Sequence, residues 1–101
     1  MKTVMLACSV GISTNVLVRK LQKEIIAQDI EWEVFAVPIS EVKEELKQRP
    51  VDVLLIGPQS QHYKEELNNL YGEELVISTI SAKDYGQMNA ENVLKQLLNL
   101  L

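Results

Sequence analysis

Short apolar runs rich in β-branched residues alternate with amphipathic stretches along the whole chain, and this alternation restricts the fold more than any other feature. The runs are Val4–Ala7, Trp32–Val37, Val51–Ile56 and Leu75–Ile80. The third, Val51-Asp52-Val53-Leu54-Leu55-Ile56, is almost continuously apolar, as a strand covered on both faces of a parallel sheet must be. Between and after the runs, the sequence predicts helices at about Asn15–Gln28, Glu41–Gln48, Gln61–Leu70 and Ala90–Leu101. Tyr63, Leu67, Leu70 and Tyr71 fall on one helical stripe, and Val93, Leu94, Leu97, Leu98 and Leu101 repeat the pattern in the last helix. Ser40 and Asn89, each followed closely by an acid, are expected N-caps; Pro50 and Gly72 are expected helix ends.

Strict βαβαβαβα order in 101 residues predicts an α/β fold forming one domain over residues 1–101. The expected architecture is a three-layer sandwich: a four-stranded parallel sheet of order 2-1-3-4 with helices on both faces. It is a trimmed flavodoxin-like plan, also described as phosphatase-I-like. Right-handed crossovers make the winding reverse between strands 1 and 3, and ligands of such sheets bind there, at the carboxyl ends of the strands. The loop after the first strand is therefore the first place to look for chemistry.

That loop reads Cys8-Ser9-Val10-Gly11-Ile12-Ser13-Thr14-Asn15 and opens on the only cysteine of the chain. A thiol placed there meets the unpaired N–H groups and the positive dipole end of the following helix, which favour a thiolate and would cradle a tetrahedral anion. Gly11 permits close backbone approach, while Ser13 and Thr14 are expected to cap helix 1, a role compatible with anion binding. A buried structural cysteine is the simpler alternative, but one within a strand or on a helical stripe would suit that better.

Composition narrows the remaining classes. A net charge of −4 opposes general nucleic-acid binding, which needs a basic face. One cysteine and one histidine, far apart in sequence, offer no zinc-ligand spacing, so neither a metal nor a cofactor is expected. No apolar run reaches the ~20 residues of a membrane span, and no secretory signal is evident, so a cytoplasmic protein is expected.

Other polar residues fall near the same rim. His62, Gln59 and Ser60 follow strand 3, and Asp84 follows strand 4. His62 could act as base or phosphoryl carrier and Asp84 as a general acid, but a solvated surface role is the favoured reading of both. Arg19, Lys20 and Lys23 on helix 1 could guide an acidic partner, or simply face water; Val10, Ile12 and Val16 would give the rim an apolar character.

Cysteine at the head of an anion loop fits two reactions. A Cys-dependent phosphatase needs an arginine six residues on, but position 14 is Thr, and no Arg or Lys lies between Cys8 and Val18. The Lys of a Walker A loop is absent too. Phosphoryl transfer depends on positioning and electrostatic stabilisation, and a bidentate guanidinium is the strongest clamp available. A site without it suits a carrier that accepts a phosphoryl group on Cys8 and hands it on. A low-molecular-weight phosphatase or arsenate reductase-like enzyme remains the alternative.

Three segments carry a family resemblance. Val4 to Val18 resembles the active loop of the lactose/cellobiose-type enzyme IIB components of the bacterial sugar phosphotransferase system, close to C-S-x-G-M-S-T-S-L-L-V. Asp52 to Gln59 is similar to the family's D-V-[IVL]-L-L-G-P-Q, and Tyr85-Gly86-Gln87-Met88-Asn89 to its Y-G-x-M-[DN]. Departures are conservative: Val10 for Ala, Ile12 for Met and Asn15 for Ser. The resemblance implies Cys8 as nucleophile and phosphocysteine, with the amides of Ser9, Val10, Gly11, Ile12, Ser13, Thr14 and Asn15 as the cradle. It also implies a phosphohistidine IIA donor, and a membrane IIC permease whose sugar is the acceptor.

Overall fold

The computed structural model describes residues 1–9 and 11–101, with the side chains of residues 11–13 outside the description. The strands are β1 (Lys2–Cys8), β2 (Trp32–Pro38), β3 (Val53–Ile56) and β4 (Val76–Thr79). The helices are α1 (Gly11–Ala27), α2 (Val42–Gln48), α3 (Lys64–Tyr71), α4 (Ala82–Gly86) and α5 (Ala90–Leu100). All strand pairs are parallel and the order is β2-β1-β3-β4, as the alternation predicts. Register aligns Leu6 with Ala36 and Leu55, so the carboxyl ends of β1 and β3 lie side by side.

Side-chain alternation along β1 divides the interior into two cores. Val4 and Leu6 join Leu17, Leu21, Val93 and Leu97 under α1 and α5. Met5 and Ala7 point the other way, to Val42, Leu54, Ile56 and Leu67 under α2 and α3. Both faces of β1 are thus covered, which is why its sequence is apolar without a polar alternate. Asp52 ties the amino end of the sheet together. Its carboxylate accepts from the Thr3 amide at 2.8 Å, its own amide donates to Thr3 O at 2.9 Å, and its carbonyl accepts from Val76 N at 3.0 Å.

Several local expectations need correction. Helix α1 begins at Gly11 rather than near Asn15, so Ser13 and Thr14 lie inside its first turns rather than at its N-cap position. Ser40 caps nothing: Ile39–Glu41 form a 3-10 turn, and α2 starts behind Glu41 without a side-chain cap. The segment Gln61–Leu70 is a 3-10 stretch from Pro58 to Tyr63 followed by a shorter α3. That break rotates the predicted stripe, leaving Leu67 buried and Leu70 54% exposed. Leu98 and Leu101 likewise lie outside the core, at 47% and 42% exposure, while α5 turns Val93, Leu94 and Leu97 inward and ties Gln96 to Ser78 and Thr79 of β4.

Gly72 ends α3 in right-handed backbone (φ −62°), so its value is not the left-handed freedom expected of a helix-ending glycine. A Cβ there would stand 2.5 Å from the Asn68 carbonyl oxygen. Asn89 does cap α5, accepting from Asn92 N at 3.1 Å. The loop after β4, read as irregular, contains α4, capped by Ser81 through the Asp84 amide at 3.1 Å.

Candidate functional site

Cys8 is the last residue of β1 and pairs with Pro38 of β2. Its other neighbour is the chain leaving β3: Gly57 N donates to Ala7 O at 2.8 Å, continuing the ladder one step past Ile56. A Cβ on Gly57 would stand 3.5 Å from Cys8 Cβ, in ordinary van der Waals contact with the cysteine. Cys8 is 2% exposed. The thiol therefore sits at the topological switch between β1 and β3, with α1 starting three residues later.

The first turn of α1 leaves its amides without helical partners, and the helix runs 17 residues, long enough for a full dipole. Of the predicted cradle, Ser9 is exposed, Val10 lies outside the described residues, and Gly11 to Asn15 are helical, with Asn15 exposed. Thr14 is 3% exposed, and its hydroxyl meets the Tyr85 hydroxyl at 2.8 Å across 71 residues of sequence. The rim residue Val16 is half-buried, whereas Arg19, Lys20 and Lys23 are exposed.

Tyr85, on α4, is the residue that reading the sequence for chemistry missed. Its ring is 7% exposed and its hydroxyl also engages the Cys8 side chain. Burial raises the phenol above its ordinary value of 10.0; the hydrogen bond with Thr14 opposes this, while the charge and hydrogen bond of Cys8 reinforce it. The phenol thus keeps its proton and can donate to sulfur. The only prior signal was its place in the Y-G-x-M segment.

The other candidates do different work. Asp84 Oδ1 accepts from Asn92 Nδ2 at 3.0 Å, joining α4 to α5, so its carboxylate is structurally engaged. His62 is exposed, with its ring 4.4 Å from that of Tyr63. Ser60 is 1% exposed and its Oγ is buried without a hydrogen-bond partner among the described residues. Gln59 is exposed and lines a cleft of about 580 Å³ together with Pro58, Thr79, Ser81, Tyr85 and Met88. Thr79, the last residue of β4, is among the lining residues.

Fold and site together define a doubly wound α/β protein with a cysteine and a helix N-terminus at the sheet's switch point. Residues 3–96 match the family described as "PTS system, Lactose/Cellobiose specific IIB subunit". The chain belongs to that family and so is a IIB component of a sugar phosphotransferase system.

Among its relatives are the oligo-beta-mannoside-specific EIIB component of Bacillus subtilis, 33% identical over 102 residues, and the cellobiose-specific EIIB component of Lactococcus lactis, 33% identical over 105. These alignments span 100% and 99% of this chain and 97% and 96% of the relatives. The solution structure of a cellobiose-specific IIB protein from Borrelia burgdorferi superposes with TM-score 0.76 at 30% identity, over 98% of this chain and 90% of that one. A lactose-specific IIB domain from Streptococcus pneumoniae gives TM-score 0.84 at 12% identity, covering 98% of this chain and 96% of that domain; that likeness concerns fold alone.

Proposed function

We propose that the protein is a cytoplasmic phosphoryl carrier working through Cys8. A thiolate at Cys8 attacks the phosphorus of a phosphohistidine on a IIA protein, forming the S–P bond as the N–P bond breaks and the imidazole leaves. A sugar hydroxyl presented by a IIC permease then attacks the same phosphorus. The O–P bond forms, sulfur departs as thiolate, and the hydroxyl proton passes to a base or to water. The observation that carries this reading is the position of Cys8, at the carboxyl end of β1 and directly ahead of α1. Amides of Ser9 to Asn15 form the phosphate cradle in this proposal.

The same site argues for storage rather than hydrolysis. Thr stands at position 14 where a Cys-dependent phosphatase needs arginine, and the Asp84 carboxylate is bonded to Asn92. The acceptor sugar we assign is a β-linked disaccharide of the cellobiose, chitobiose or lactose type, in keeping with relatives named for cellobiose and oligo-beta-mannoside.

Intact-mass analysis tests the proposal after incubation with phosphoenolpyruvate, the general phosphotransferase proteins and a IIA protein of this family. The expected result is one phosphoryl group, resistant to conditions that destroy phosphohistidine and absent from a folded Cys8→Ser variant. Label on Cys8→Ser, or sustained turnover of an aryl phosphate by the wild type, overturns it.

A further inference from the structure

The Thr14–Tyr85 hydrogen bond is an unusual use of a helical threonine. A hydroxyl in that setting ordinarily back-bonds to a carbonyl of its own helix. Here it reaches across the site to α4, and both side chains are buried. The tyrosine hydroxyl has one proton to give and can also accept. A thiolate can only accept, so a phenol in contact with it donates to sulfur, and Thr14 then donates to the phenol oxygen. The result is a relay directed at the cysteine: Thr14 O–H to Tyr85, and Tyr85 O–H to sulfur.

We propose that Tyr85 is a positioning residue for the departure of sulfur, its hydroxyl held by Thr14 so that it stabilises the thiolate released when the phosphoryl group leaves Cys8. This deepens the carrier reading and rests on it. The two half-reactions use sulfur differently. Phosphoryl transfer passes through a loose transition state in which the bond to the leaving group is largely broken, while the bond to the nucleophile is barely formed. Sulfur is the nucleophile on loading and the leaving group on delivery. A donor aimed at sulfur therefore matters little to acceptance and much to release. In the release step the S–P bond breaks, its electron pair stays on sulfur, and the phenol keeps its proton while hydrogen-bonding to the new anion.

The test uses Tyr85→Phe, which keeps the ring and removes the hydroxyl. Both proteins are loaded from a phosphorylated IIA protein, separated from the donor, and followed by intact mass as the phosphocysteine decays in water. Melting temperature is recorded beside each. The expected outcome is near-normal loading and a phosphocysteine that lives about tenfold longer in the variant. Thr14→Val, which frees the phenol from its anchor, should lengthen the lifetime in the same direction but by less.

A merely structural hydroxyl predicts the opposite sign: a loosened site admits water and shortens the lifetime. An unchanged or shortened lifetime in Tyr85→Phe overturns the inference while leaving the carrier reading intact. Failure of the wild type to load, or loading of Cys8→Ser, overturns the carrier reading itself and the inference with it.

Discussion

The chain leaving β3 passes Cys8 at Gly57, where a methyl would stand 3.5 Å from both Ala7 O and Cys8 Cβ. That is ordinary van der Waals contact, and the backbone there is extended (φ −64°, ψ 155°), so alanine fits without strain. Gly57→Ala should fold with its stability changed by less than about 1 kcal/mol. Its methyl should nonetheless slow alkylation of Cys8 by iodoacetamide, measured at fixed pH; equal rates would mean that the β3 side does not limit access. The importance of Cys8 was legible from its place between an apolar run and a helical pattern. Tyr85 was not, because nothing local marks a phenol whose partners lie more than 70 residues away. Asp84, next to it, drew the chemical reading because carboxylates look catalytic in sequence, and its engagement with Asn92 is visible only in three dimensions.

At the scale of elements, the ends of α1, α2 and α3 fall within a residue of those expected, whereas of the expected caps Asn89 forms and Ser40 does not. Asn89 was legible and bonds the Asn92 amide, so Asn89→Ala should cost about 1 kcal/mol in urea unfolding. Ser40→Ala, by contrast, should cost nearly nothing, because the 3-10 turn has displaced that residue from the start of α2. A comparable loss in both variants would contradict this assignment.

The end of α1 falls within a residue of the expected Gln28, whereas α4 and its end were not foreseen; neither ending places a glycine at its left-handed position. Ile30 N bonds Ile25 O at 3.0 Å and Asp29 N bonds Ile26 O at 3.1 Å, with Asp29 at φ 56°. Asn89 N bonds Asp84 O at 2.9 Å and Met88 N bonds Tyr85 O at 3.1 Å, with Met88 at φ 51°. Both are Schellman endings built around a left-handed residue that carries a side chain.

For the molecule as a whole, the order of strands followed from alternation alone, because parallel strands joined by right-handed crossovers leave few arrangements. The 3-10 break before α3 and the outward turn of Leu70 and Leu98 depend on how helices sit against the finished sheet, which periodicity does not encode. Alkaline stability is a property of the same scale. The unfolded chain ionises Tyr85 near the ordinary tyrosine value of about 10, whereas the folded protein holds that proton to higher pH. Above that value the unfolded state binds fewer protons, so stability is complete below it and falls as pH climbs through the folded value.

Lys43, raised by its hydrogen bond and charge pairing with Glu66, acts in the same sense, but it is exposed and solvent screens the pair. Urea midpoints across the alkaline range should therefore decline less steeply for Tyr85→Phe than for wild type. Equal slopes would remove the buried phenol as the cause.

The left-handed backbone of Met88 has a mechanical consequence for the sulfur. One residue reverses the chain between the short helix bearing the phenol and the long terminal helix, and its side chain is packed against the core below α1 and α5. Helix α4 cannot slide along α5 without unwinding that torsion or pulling the thioether from its seat. A single backbone angle thus works as a stop on the helix that carries the phenol, and a glycine there would turn the stop into a swivel.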